Sequence, residues 1–135
     1  PKECNYEYGC IITNETINLK SYSIESIIAE KMQTFLVKGV LNSRSKDFYD
    51  LYILEKMYFN SKNINAIKKA FYMTCKNRNC KISKEEACDM VKSVKANIIQ
   101  QNRWDSYSKS TKYASGILFD DVLEAIRRLV NALFL

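Results

Sequence analysis

The chain has no histidine, three glycines and one proline, at position 1, in 135 residues. Without imidazole, the Ser-His-Asp and Cys-His nucleophile systems and all histidine-bearing zinc sites are excluded. Catalysis, if any, must run on carboxylates, lysines or a borrowed metal ion. So little glycine and proline supplies too few turns for an all-β sandwich or barrel, so helices should dominate. No stretch approaches the roughly 20 apolar residues of a membrane span, and no membrane partner is expected. The five cysteines, Cys4, Cys10, Cys75, Cys80 and Cys88, are an odd number. They are read as free thiols of a reducing, cytoplasmic compartment, not as a disulfide framework. The run Cys75-x4-Cys80-x7-Cys88 lacks the paired C-x2-C spacing of a zinc site.

What the chain does hold is a globular mixture, 47% apolar and 27% charged residues, in a length that suits one core. Its net charge of +6 is unevenly spread. Residues 62–112 carry 12 basic and 4 acidic groups, whereas the segments before and after are close to neutral. Lys68, Lys69, Arg78, Lys81 and Arg103 fall in that stretch, with Tyr72, Trp104 and Tyr107 interleaved. Cations with aromatics suit a polyphosphate backbone and unstacked bases. A lysine-rich solvated surface explains the same counts, because 16 of the 21 basic residues are lysine.

Alternation around Ile11, Thr13, Ile17 and Leu19 reads as one or two short strands within residues 1–22. A helical period follows, opened by Ser23 as N-cap and ended by Gly39, and a polar turn at Asn42–Ser45 leads into a second helix over Lys46–Phe59. A third helix fits Asn63–Lys76. The capping box Ser83-x-x-Glu86 starts a fourth. That helix carries Met90, Val94 and Ile98 inward and breaks near Asn102, before an amphipathic stretch with Trp104 and Tyr107. A last helix, opened by Asp120 or Asp121, carries Val122, Ile126 and Leu129.

Two charged residues break this pattern. At roughly 100° per residue, Lys31 falls in the middle of the stripe formed by Ile24, Ile27, Ile28 and Phe35. Asp47 heads the stripe of Leu51, Leu54 and Tyr58 on the next helix, with Asp50 at its edge. Helices joined by a short turn can bring Lys31 and Asp47 into one cleft. A buried ion pair or a capping carboxylate would account for both residues. So would a polar site in which Lys31 holds a phosphate and Asp47 acts on a hydroxyl or a metal.

The blocks Y-S-I-E-S-I-I-A-E-K-M, from Tyr22 to Met32, and N-S-R-S-K-D-F-Y-D-L-Y-I-L, from Asn42 to Leu54, carry a resemblance. They are similar to Y-x-x-E-x-x-x-A-E-K-x and R-x-(K/R)-D-(F/Y)-Y-D-(L/I) of the AbiEii/AbiGii toxin family of nucleotidyltransferases. Two extended motifs in the right order are far more specific than one short match. The resemblance implies an α+β, polymerase-β-like enzyme in which Lys31 and Asp47 are catalytic, Lys31, Arg44 and Lys46 bind the nucleotide phosphates, and Glu25, Glu30 and Asp50 support them. It implies transfer from an NTP to an RNA, the tRNA 3′ end foremost, in a toxin that blocks growth or phage propagation and is countered by an antitoxin. It further implies Mg²⁺, held by a Gly-Ser loop and an Asp-x-Asp pair that this sequence does not contain. On that reading residues 1–22 end the nucleotidyltransferase sheet and residues 23–135 form a mostly α lobe, inactive without an upstream half and holding no metal itself. The expected nucleic-acid face takes in Lys68, Lys69, Arg78, Lys81, Arg103 and Trp104. A non-enzymatic helical module that binds nucleic acid or an antitoxin is the alternative.

Overall fold

The computed structural model describes residues 23–134, and every regular element among them is helical. The strands expected before residue 23 lie outside the described residues. Helix α1 (Ile24–Lys38) starts where Ser23, in extended conformation, accepts a hydrogen bond from the Ser26 amide at 3.1 Å. Helices α2 (Ser45–Met57), α3 (Ile64–Asn77), α4 (Lys84–Ala96), α5 (Ile98–Ser110) and α6 (Phe119–Leu133) follow. The Ser83/Glu86 capping box opens α4 with both reciprocal bonds in place. Helix α1 packs chiefly on α3, and α2 on α6.

Three boundaries differ from the sequence reading. Gly39 is right-handed (φ −45°), its amide still bonds the Phe35 carbonyl, and the chain tightens into a 3₁₀ turn through Leu41. A left-handed stop is therefore not its role. A Cβ at Gly39 would stand 3.1 Å from Val94 Cγ2 and 3.2 Å from Met90 Sδ, so the glycine admits close approach of α4. The break after α4 falls at Asn97, not Asn102. Asn97 is extended, ends α4, and caps α5 by accepting from the Gln100 amide, which turns Ile98 out to 66% exposure. Leu118 occupies the N-cap position of α6, and Asp120 and Asp121 lie inside its first turn, facing the helix dipole without capping it.

An aromatic column joins four helices. Phe35 of α1 meets Phe48 of α2 edge-on at 5.6 Å, Phe48 meets Phe119 of α6 at 6.0 Å, and Phe119 stacks on Trp104 of α5 at 6.0 Å. Such pairs contribute about 0.5–1.5 kcal/mol each beyond their buried area. Trp104 is 1% exposed and donates its indole N–H to the Ile117 carbonyl at 2.8 Å. It is a core residue, and its assignment to a nucleic-acid face is corrected: no base can reach a ring enclosed between α5 and α6. Among the described residues no helix is long and apolar enough to cross a membrane, and Cys75, Cys80 and Cys88 are free thiols.

Candidate functional site

The site grows from the α1–α2 junction. The Lys31 ammonium stands 3.0 Å from Asp50 Oδ2 and 3.8 Å from Asp47 Oδ1, and the Lys46 ammonium stands 3.1 Å from Asp50 Oδ1. Asp50 is the buried member, with a fully enclosed side chain, while Asp47 keeps 19% of its side chain exposed and Lys31 16%. The sequence pattern put Asp47 at the head of the apolar stripe and Asp50 at its edge. The structure reverses that order, because the inward face of α2 runs through Phe48, Leu51 and Leu54 and places Asp50 beside them.

Burial raises the Asp50 carboxyl above its ordinary value, against the two ammoniums, which pull it down. Burial also pushes the neighbouring Tyr49 hydroxyl up to about 12, with Tyr113 and Asp50 acting in the same direction. Lys46 lies over the Tyr49 and Tyr113 rings at 5.9 and 5.7 Å. The Tyr113 hydroxyl meets that of Tyr107 at 3.0 Å.

Asp47 is fixed from its own turn. Asn42 Nδ2 donates to Asp47 Oδ2 at 3.0 Å, while Asn42 Oδ1 accepts from the Arg44 amide at 2.8 Å. The turn is in turn clamped by Gln100 of α5, buried at 1% exposure, whose Nε2 faces the carbonyls of Gly39, Val40 and Asn42 at 2.9, 2.8 and 2.8 Å. Neither Gln100 nor Asn42 stood out in the sequence as a site residue. Gln100 does lie four residues before Trp104, a polar group on an apolar stripe, which is the same signal that marked Lys31.

A cavity of about 230 Å³ opens over this constellation, lined by Glu30, Lys31, Asn42, Arg44, Asp47 and Arg78 above a floor that includes Phe35 and Phe48. Arg78 reaches it from the end of α3, held by Glu30 Oε1 at 3.7 Å, by Thr34 Oγ1 at 3.3 Å and by Gln33 Oε1. Arg44 is within 4.0 Å of Asp47. Three cations (Lys31, Arg44 and Arg78) and two carboxylates (Asp47, and Glu30 paired with Arg78) therefore converge on one concave surface, an arrangement that can hold a polyanion and present a carboxylate to it. Glu25 is elsewhere: it accepts from the Tyr58 hydroxyl at 2.8 Å and ties α1 to the end of α2.

The basic residues expected on one nucleic-acid face separate. Arg78 lines the cavity, Lys68 and Lys81 border an apolar groove beside Phe71 and Phe134, and Arg103 lines a third depression next to Arg44 and Lys46. Lys69 is exposed on α3. Among the described residues no cluster of three histidine, cysteine or acidic side chains could hold a metal, and both Asp50 oxygens face ammonium groups. These residues do not fit a dedicated Mg²⁺ site, and no step of the chemistry below is assigned to one.

No curated protein and no solved structure matches the chain. A family model does, over residues 3–125: the nucleotidyl transferase AbiEii toxin of type IV toxin–antitoxin systems. The match spans both the cation-lined cavity and the helices that build it, and the chain belongs to the AbiEii nucleotidyl transferase toxin family.

Proposed function

We propose that these residues form the nucleotide-holding lobe of a toxin that transfers a nucleotide from an NTP to an RNA acceptor, the tRNA 3′ end foremost, and that a cognate antitoxin opposes it. The observation that carries this reading is the convergence of Lys31, Arg44 and Arg78 with Asp47 on one cavity. In the reaction the acceptor hydroxyl oxygen bonds to the α-phosphorus, the bond from that phosphorus to the bridging oxygen breaks, and pyrophosphate leaves. Lys31 and the two arginines bind the triphosphate and stabilise charge as it moves to the leaving group. Asp47, steadied by Asn42, orients the acceptor hydroxyl and takes its proton. Lys46 keeps Asp50 paired and so sets the position of Lys31.

The test is transfer of label from each NTP to bulk tRNA by the full-length gene product, beside Asp47→Asn. Asparagine keeps an acceptor for Asn42, so the fold should melt normally while transfer falls by about 100-fold or more. Unchanged transfer in Asp47→Asn removes Asp47 from the chemistry. A wild-type protein that binds tRNA and labels nothing would instead favour a binding module in which Lys31 and Asp50 only join two helices.

A further inference from the structure

A second depression, about 710 Å³ and open to solvent, lies between the first turn of α2 and α5, lined by Ser43, Ser45, Asn102, Ser106 and Tyr107 with three cations, Arg44, Lys46 and Arg103. Its lining contains no carboxylate. Arg44 and Lys46 have acidic neighbours on their own helix, whereas Arg103 has no ion-pair partner among the described residues. Cations spaced along a hydroxyl-rich surface whose lining holds no carboxylate are suited to a ligand whose negative charges are spaced along a chain.

Arg44 lines both this groove and the nucleotide cavity, so the two depressions meet at one side chain. Along the far edge Ile99 lines the groove, and Ile98 beside it is exposed, as is Ile99 itself at 57%. Exposed isoleucines beside a cationic track offer apolar contact to the faces of unstacked bases, with the Tyr107 ring beside them. An acidic protein helix would match the charge but would gain nothing from the continuity with the nucleotide cavity.

We propose that this groove carries the phosphodiester backbone of a single-stranded acceptor end, leading its terminal hydroxyl past Arg44 into the cavity, with Arg103 as the principal backbone contact. The proposal rests on the transfer reading above for the identity of the strand, and on groove geometry for its path. Its residues Ile99, Asn102, Arg103, Ser106 and Tyr107 lie outside the two blocks and outside the lining of the nucleotide cavity.

The experiment compares wild-type full-length protein with Arg103→Glu and, as a control for net charge, Lys92→Glu on the exposed side of α4. The probe is a short fluorescein-labelled single-stranded RNA, followed by anisotropy over a salt series, with NTP binding measured in parallel. Arg103→Glu should weaken RNA binding by about tenfold and lower the salt slope by about one, whereas NTP affinity and the Lys92→Glu variant should change by less than about twofold. Equal losses in Arg103→Glu and Lys92→Glu would overturn the groove, since net charge would then explain both. So would a fall in NTP affinity as large as the fall in RNA affinity. If no RNA is labelled by the wild-type protein and Arg103→Glu still loses RNA selectively, the transfer reading fails and the groove stands. If transfer proceeds with an unchanged RNA KM in Arg103→Glu, the groove fails and the transfer reading stands.

Discussion

Helices α2 and α6 pack against each other and bury opposite kinds of surface. The inward face of α6 is wholly apolar, with Val122, Leu123, Ile126, Leu129 and Val130 enclosed and Asp120, Asp121, Glu124 and Arg127 in solvent. The inward face of α2 holds Phe48, Leu51 and Leu54 but also encloses Asp50 between two ammoniums. The bidentate contact of Arg128 with Glu55, at 3.0 Å for each pair of atoms, joins the two helices at their margin. One face is built to hold the domain together. The other carries buried charge that a stable helical core does not require, since apolar residues of the same size commonly serve as well or better.

The largest expected effect tests that contrast. Asp50→Ala leaves Lys31 and Lys46 facing an uncompensated gap and should cost about 3–5 kcal/mol, comparable with the roughly 2–5 kcal/mol expected for Leu129→Ala in α6. The two losses differ in how they are repaired. The double variant Lys31→Met with Asp50→Leu should return to within about 2 kcal/mol of wild type in urea unfolding, yet bind no NTP. If the double variant unfolds as readily as Asp50→Ala, the pair is structural and the contrast between α2 and α6 disappears.

A smaller effect is expected at the clamp. Gln100→Leu removes a donor from the Gly39, Val40 and Asn42 carbonyls and should cost about 1–3 kcal/mol. Gln100→Leu should weaken NTP binding through its loosened turn, whereas Leu129→Ala should lower the melting temperature more and change NTP affinity less. Equal NTP affinity in Gln100→Leu would show that the turn positions nothing.

The smallest effect is the pH dependence of Asp50. Its folded-state carboxyl holds a proton more tightly than the unfolded chain does, because burial raises it above the ordinary 3.8. The folded state therefore binds the extra proton between the two values, and stability from this group is present below the unfolded value and lost as pH rises through the raised one. The difference in unfolding free energy between wild type and Asp50→Asn should accordingly shift against wild type as pH increases from about 4. A difference that moves the other way would mean that the lysines outweigh burial.

Much of the helical architecture was legible because local signals and burial agree in it. Ser23, the Ser83/Glu86 box and the apolar stripe of α6 each specify their element without help from distant residues. Lys31 was legible for the opposite reason, as a charge on an apolar stripe. Trp104 misled: aromatic residues near basic ones suit bases and cores alike, and only the placement of Phe119 and Ile117 decides between them. Asp47 and Asp50 exchanged prominence because a three-residue spacing leaves both near the inward face, and the packing of α2 against α1 and α6 encloses one of them. Arg78 and Gln100 enter the site region from α3 and α5, and no local pattern announces which turn a distant helix will touch.

The central claim is that the cavity over the α1–α2 junction holds the nucleotide phosphates. Its most direct test is NTP binding by the full-length protein with Arg44→Ala and Arg78→Ala, since both side chains are about half exposed, at 56% and 43%, and neither should be needed for folding. Each variant should keep its melting temperature and bind NTP at least about tenfold more weakly, the loss of one charge-assisted phosphate contact. Wild-type affinity in both variants would contradict the account and place the nucleotide elsewhere.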